Sequence, residues 1–560
     1  MADYYIAAGE KLPAGDNPGE RKSSCKVRIV SSKAKWNRRQ LLRASAFCAL
    51  TFSWKKSGAA AAPLASPDVR PGGPQRPNII LFMPDELRAD ALGCYGNTVI
   101  RTPNFDRLAQ VGTRFESCHV QFPVCAASRC SMATGWPTSV RGHRSLYYFL
   151  RPDEPNMFRY LRQAGYDVFM FGKNDLLAAE TLASSFTEWR NPRSPTAEFA
   201  VIDKPQFPTT MLLPAAGERR GTGDYAAIQL AIKVLERRES ERPFCILLAL
   251  FDPHPPYTVP ADFYSLYHPA EIPSLAPPGL VQRPRFHAAL RELSGLNQVT
   301  DAEFRKLRAV YYGQVSYSDW LLGELMEAME RTAHSRDTAL FLCSDHGDYA
   351  GDYGLVEKWP AGLEDCLTHV PVIARIPGGT AGNVSHELIE LFDIMPTCLE
   401  LAGTKATHTH FARSLIPQLH GSSGNSQRAA FTEGGYNTYE PQAFEPIIAG
   451  LYGPKTRLQN ERPETVTRCA AVRTRRYKYI ARPNDQSELY DCAQDPMQMN
   501  NLFDDSSLRA VQAELQTRLV NWYIDTSGVP PLERDPRGAA VLDRAPELRH
   551  IAPLSSLLDH

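Results

Sequence analysis

The sequence predicts an α/β chain, with a large mixed, mostly parallel sheet sandwiched by helices and a smaller C-terminal subdomain built on an antiparallel sheet. Three observations carry this. Short apolar runs alternate with helix-period segments between Pro77 and Leu401. Acidic clusters stand directly after three of those runs, where ligands gather in open α/β sheets. Past residue 430 the pattern changes to short apolar runs separated by charged turns.

In chain order, Asn78–Met83 ends at Pro84 and reads as a buried strand. Thr102-Pro103 opens a helix carrying Phe105, Leu108 and Val111, with threonine as the expected cap and proline at the first position. Met157–Ala164 is helical and closed by Gly165, and Tyr166–Phe171 is the next strand. Ala226–Arg237 is helical, Phe244–Leu250 a strand, and Phe304–Arg331 a long helical region with one expected break. Ala339–Cys343 and Val370–Ile376 are strands, and a helix over Glu390–Leu401 closes the domain at Gly403. Residues 404–430 read as a linker or surface loop. Cys469–Val472, Lys478–Ala481 and Glu488–Tyr490 form the small antiparallel sheet, and Leu508–Tyr523 is an amphipathic helix before a Pro/Arg-rich arm. The expected division is therefore 1–76, a disordered N-terminus with an export signal; 77–403, catalytic; 404–525, the C-terminal subdomain; and 526–560, a tail.

Composition narrows the function classes. With 62 basic and 62 acidic side chains, no net field draws the chain to nucleic acid or an anionic membrane. No apolar run is long enough to span a bilayer, and no Gly-rich phosphate loop is present. The 12 cysteines show no zinc or redox spacing. Arg38-Arg39 before Leu41-Leu42, a short apolar stretch Ala44–Trp54 and an Ala-rich exit resemble a bacterial twin-arginine signal, which implies a periplasmic or extracellular location.

Asp85-Glu86 follows the first strand, Asp252-Pro253-His254 follows Phe244–Leu250, and Asp345-His346-Gly347-Asp348 follows Ala339–Cys343. One acidic turn is usually a cap or a solvated bend. Three on one sheet edge point to a metal, and carboxylates with one imidazole and no thiolate set favour calcium over zinc.

Cys125-Ala126-Ala127-Ser128-Arg129, continued through Thr134-Gly135, resembles the signature of the formylglycine-dependent sulfatases of the alkaline phosphatase superfamily. Asn78–Asp90, Gly172-Lys173, Pro253–Tyr257, Ser344–Gly347 with Lys358, and Ala471–Tyr479 with Glu488–Asp491 and Asp495-Pro496 resemble further motifs of that family in the same order. Ala127 stands where most members have proline, Glu86 where many have a second aspartate, and Asp175 where histidine is common.

The resemblance implies that a formylglycine-generating enzyme oxidises Cys125 to formylglycine (3-oxoalanine). It implies one calcium ion held by Asp85, Glu86, Cys125, Asp345 and His346. Arg129 would hold the modified residue, Lys173 and Lys358 would grip sulfate, and His254 would protonate the leaving alcohol. A carboxylate at Asp175 would repel sulfate unless paired, so it is assigned to the substrate's hydroxyl or cationic groups instead. The implied substrate is a sulfated small molecule or glycan, with Arg141–Tyr148 and Phe444–Tyr452 either shaping its pocket or packing ordinarily. Two alternatives stay open: a phosphodiesterase or phosphonate monoester hydrolase of the same superfamily, and an inactive sulfated-glycan-binding homologue.

Overall fold

All six residues of β1 (Asn78–Met83) are buried, as a central strand covered on both faces requires. The structure, a computed structural model, describes residues 76–192, 212, 215–237, 240–332, 334–440, 444–448 and 452–527. The export signal expected within 1–76 and nearly all of the tail expected over 526–560 lie outside the described residues; Thr526 still belongs to the last helix.

Among the described residues β1 belongs to an eight-stranded sheet. Its order is β4 (Glu188–Arg190), β3 (Asp167–Gly172), β5 (Phe244–Ala249), β1, β6 (Thr338–Cys343), β7 (His369–Arg375), β2 (Thr113–His119) and β8 (Asn383–Glu390). Strand β7 runs antiparallel to both neighbours, and the remaining pairs are parallel. The mostly parallel class expected from the sequence is therefore observed. Helices cover both faces. On one, Ile79, Leu81 and Met83 pack with Cys130 and Met132 of α2 (Cys125–Thr134), Met157 and Leu161 of α3 (Met157–Gln163), and Met395 and Cys398 of α6 (Ile394–Leu401). On the other, Phe82 meets Phe105 of α1 (Pro103–Val111), which lies beside α5 (Asp301–Arg331), and α5 packs in turn on α4 (Gly223–Arg237).

Four local expectations need correction. The expected break in the long helix is absent: α5 runs unbroken over 31 residues. Its glycines serve close approach, since a Cβ on Gly313 would stand 2.4 Å from the Phe263 carbonyl oxygen. Thr102 does not cap α1; Asp319 of α5 does, accepting the Phe105 amide at 2.7 Å. The stretch read as a helix from Glu390 is the end of β8 followed by a short turn, and the helix begins at Ile394. Strands β2, β8 and β9 (Ala430–Gly434) were not expected; polar residues along them hid the run.

The smaller sheet is antiparallel, in the order β12 (Glu488–Asp491), β11 (Tyr477–Ala481), β10 (Cys469–Arg473), β9. Val472, Tyr479 and Leu489 bury against Leu515 and Leu519 of α8 (Arg509–Thr526). It is tied to the loop after β6, because Lys478 Nζ reaches Asp365 at 2.7 Å and Arg482 Nη1 donates to the Ala361 carbonyl at 2.7 Å.

Candidate active site

Parallel neighbours β3, β5, β1 and β6 end on the same edge of the sheet, so the turns after them converge. Those turns carry Lys173, His254, Asp85-Glu86 and Asp345-His346. Gly172 makes the first turn possible: its φ is +114°, and a Cβ there would stand 2.0 Å from the Ala249 carbonyl oxygen. Glu86 holds a positive φ of 66° without being glycine. Its backbone is fixed from both sides, with its carbonyl accepting from Tyr311 Oη at 2.8 Å and its amide donating to Asp345 Oδ1 at 3.3 Å.

Cys125 is the first residue of α2, so its side chain sits at the positive end of that helix. The thiol donates to His346 Nε2 at 3.1 Å, and Lys173 Nζ is 3.8 Å from Sγ. His346 donates from Nδ1 to the Gly347 carbonyl at 2.8 Å, which leaves Nε2 as a lone pair facing the site. Burial pushes the Cys125 thiol up to about 12, with the Asp85 carboxylate adding to it against Lys173 and Lys358. An unmodified thiol here is a poor nucleophile at neutral pH.

Arg129, one helical turn on, ties the carboxylates together. Nε bonds Asp345 Oδ2 at 2.7 Å, Nη2 lies 3.1 Å from Asp85 Oδ2, and Nη1 donates to the Lys173 carbonyl at 3.0 Å. Lys173 Nζ contacts Asp85 Oδ2 at 2.7 Å and Asp175 Oδ2 at 3.0 Å. The expected conflict between Asp175 and a sulfate is thus met by pairing. Burial alone would raise Asp175, but Lys173 and Arg129 outweigh it and hold the carboxyl low. Burial also opposes ionisation of Asp85, and the same two cations, then the histidines 254 and 346, hold it well below the carboxylate range.

Glu86 faces a second group. Its carboxylate lies 3.2 Å from Lys358 Nζ and 3.5 Å from His254 Nε2. His254 donates from Nδ1 to the Pro255 carbonyl at 2.5 Å, and Lys358 Nζ donates to Nε2 at 2.9 Å. Burial, then Lys358 and Lys173, push the His254 imidazole well below its ordinary value. Burial pushes Glu86 well up; Asp348 and Glu357 add to this, and Lys358 does not offset it.

The donor set fits a hard divalent cation. Asp85, Cys125, Asp345 and His346 bring one donor atom each within 4.8 Å of one another, and Asp85, Glu86 and His254 form a second such set. Asp85 Oδ1 and both Glu86 carboxylate oxygens are buried and accept no hydrogen bond from the described residues. Glu86 Oε1 has the Lys358 ammonium at 3.2 Å, while Asp85 Oδ1 and Glu86 Oε2 are open to a further cation. Glu86 joins Asp85 on the side of His254 rather than on the side of Asp345.

Several contributors carried no signal as separate residues in the sequence. Lys455, on α7 (Gly453–Glu461), bonds Glu357 at 3.0 Å, and Glu357 in turn lies 3.2 Å from Lys358. Tyr452 Oη donates to the Pro255 carbonyl at 3.0 Å. Asp348 stood within an acidic cluster, and it accepts Tyr257 Oη at 2.7 and 3.0 Å; burial raises it to about 6. In the loop before Tyr148, Arg141 turns to Asp153 and Glu154, at 3.2 and 3.1 Å, within its own segment.

Residues 77–404 match the sulfatase family model, and residues 458–524 match the C-terminal model of N-sulphoglucosamine sulphohydrolase. The choline-sulfatase of Rhizobium meliloti is 26% identical over 481 residues, covering 80% of this chain and 88% of the relative. The phosphonate monoester hydrolase of Agrobacterium radiobacter superposes with a TM-score of 0.67 at 22% identity, over 80% of this chain and 96% of that one. A protein solved with its substrate D-glucosamine-2-N,6-O-disulfate superposes at 0.65 and 21% identity, over 82% of this chain and 99% of that one. With more than half its length matched by the family model, and with the mixed sheet those structures share, this chain belongs to the sulfatase family of sulfuric ester hydrolases.

Proposed function

We propose that this chain hydrolyses sulfate esters through formylglycine at position 125 and one calcium ion. Asp85, Asp345, His346 and the side chain at 125 would hold the ion, with Glu86 joining from the His254 side. The observation that carries the reading is the Cys125 thiol, buried at a helix N-terminus, 3.1 Å from His346 and within reach of Lys173. Calcium supplies positive charge that lowers the pKa of a nearby hydroxyl and neutralises charge on the sulfate oxygens. Oxidised to the aldehyde and hydrated, residue 125 would offer one hydroxyl as the nucleophile toward sulfur and a second whose deprotonation would re-form the carbonyl and release sulfate.

The chain's own groups do the rest. Lys173 and Lys358 hold non-bridging sulfate oxygens, two cations fixed by buried carboxylates. Arg129 keeps Asp85 and Asp345 from repelling each other apart, and its third donor fixes the Lys173 backbone. His254 protonates the leaving oxygen from Nε2. Its Nδ1 proton is committed to Pro255, so the ring presents Nε2 to the pocket, where the negative charge of a bound sulfate ester would favour the protonated ring. Residues 77–403 form the catalytic unit in this reading, and 404–525 the subdomain that sends Tyr452 and Lys455 to its edge.

The sulfated carbohydrate class is favoured by the N-sulphoglucosamine sulphohydrolase match over 458–524. Export is proposed on the Arg38-Arg39 segment, with maturation by a formylglycine-generating enzyme. Peptide mass spectrometry across Cys125 tests the nucleophile: an aldehyde is expected, and a quantitatively unmodified thiol in active enzyme sinks the reading. Side-by-side turnover of 4-nitrophenyl sulfate, an aryl phosphonate and an aryl phosphodiester tests the reaction. Sulfate hydrolysis should dominate; preference for either phosphorus ester transfers the chain to its structural neighbours' chemistry.

A further inference from the structure

One face of α5 braces the loops that carry the site. Arg308 Nε donates to the Ala350 carbonyl at 2.8 Å, and Arg308 Nη2 lies 2.7 Å from Asp352. Tyr311, one turn on, bonds the Glu86 carbonyl at 2.8 Å and receives the Arg88 amide at 3.1 Å. Ser318 Oγ donates to the Asp252 carbonyl at 3.2 Å. Positions 308, 311, 314 or 315, and 318 share a helix face by their spacing.

Gln314, between Tyr311 and Ser318 along the helix, is fully buried. Its Nε2 lies 3.0 Å from Asp252 Oδ1, 3.3 Å from the His254 carbonyl and 3.3 Å from the Pro256 carbonyl. One amide therefore reaches acceptors on both sides of His254. Asp224, near the start of the neighbouring α4, accepts the Phe251 amide at 2.9 Å and the Asp252 amide at 2.8 Å. The segment 251–256 is held by an amide donor on α5 and a carboxylate acceptor on α4.

We propose that Gln314 is a positioning residue for His254, setting where Nε2 meets the leaving oxygen, and that its bonds are there for this step rather than for folding alone. A peptide segment gripped through side-chain and backbone acceptors cannot rotate about its own axis, and rotation is the motion that would swing the imidazole off the ester. Displacement of a catalytic group by about 1 Å can cost on the order of 10²-fold in rate. This inference rests on the reading that His254 protonates the leaving group.

The test uses the mature, calcium-loaded enzyme with 4-nitrophenyl sulfate and phenyl sulfate. The nitrophenolate leaves readily without a proton, whereas the poorer phenolate needs one, so loss of acid assistance falls mainly on phenyl sulfate. Gln314→Met keeps the length and removes the donor. The expected result is a drop in kcat/KM for phenyl sulfate about 10- to 100-fold larger than for 4-nitrophenyl sulfate, with KM little changed. His254→Ala should show the same selectivity more strongly. Gln314→Asn withdraws the amide by one methylene and should show it in weaker form, which serves if the methionine variant is poorly folded by circular dichroism. Equal losses on both substrates in both Gln314 variants, with selective loss in His254→Ala, overturn the positioning role and leave the acid in place. Absence of selectivity in His254→Ala overturns the acid assignment and, with it, this inference.

Discussion

Arg129 Nε lies 2.7 Å from Asp345 Oδ2 while the same guanidinium reaches Asp85 Oδ2 at 3.1 Å, so one side chain bridges carboxylates from the turns after two different strands. Both acids sit at full burial, where like charges repel strongly unless a cation stands between them. A planar fork can serve two carboxylates at once; an ammonium is a single point charge.

Arg129→Lys should therefore lower kcat/KM by at least roughly 10²-fold and weaken calcium binding, since removing one partner of a buried charge network costs about 3–5 kcal/mol. Calorimetric titration of calcium into the variant reads this directly. Unaltered calcium affinity would remove Arg129 from the support of the metal ligands.

Chelation gives a second expectation. With EGTA, the buried Asp85 and Glu86 oxygens that accept no hydrogen bond from the described residues lose their counter-charge. Activity should vanish and Tm should fall. Restoring calcium at about 100 times its Kd should return about 2.7 kcal/mol of stability. Zinc or magnesium should restore less than calcium, given an oxygen-rich donor set. Full activity after exhaustive chelation is the outcome that counts against the metal.

Asp175→Asn isolates the departure noted beside the Gly-Lys pair. The native carboxylate pairs with Lys173 at 3.0 Å and so competes for a cation that sulfate also needs. Without that charge, inorganic sulfate should inhibit roughly 3- to 10-fold more tightly, because each tenfold change corresponds to about 1.4 kcal/mol. Product-inhibition constants settle the sign; weaker inhibition would mean that Asp175 orders Lys173 rather than competing with sulfate.

Asp352 governs an acid limit away from the reacting atoms. Burial opposes its ionisation, but Arg308 and Arg88, at 2.7 and 2.6 Å, hold its pKa down to about 2. A carboxyl depressed in the folded state contributes stability that is complete above its ordinary range and is lost as pH falls through the folded value. Asp352→Asn should cost about 3 kcal/mol near pH 7, since it leaves two buried guanidinium groups short of a partner. The gap from the native protein should stay constant down to about pH 5 and close between about pH 4 and 2. Chemical denaturation of both proteins across that range checks it; a gap that widens in acid would assign the stability to another group.

Legibility in the sequence followed the distance over which each signal acts. Strands β1, β5 and β6 could be read because central parallel strands are apolar along their whole length, and each is buried throughout. Strands β2 and β8 could not, because their exposed positions carry Glu116 and His386 and break the run. The polar turns were visible because they follow strands directly, and the structure brings Asp85, Cys125, Asp345 and His346 together from two of them and one helix start.

The sequence by itself determined the fold class, the family and the residue types that meet at the sheet edge, since linear motifs and strand ends are local properties. Only the tertiary structure decided how those groups are aimed. Glu86 turns toward His254 and Lys358 because its positive-φ backbone is clamped by Tyr311 and Asp345, whose own positions in the chain lie 225 and 259 residues away. Lys455 joins through Glu357 across 98 residues, and Gln314 grips the His254 segment across roughly sixty. Such contacts follow from helix packing and sheet order, which no single stretch of sequence encodes, and they set which carboxylates are paired and which face the ion.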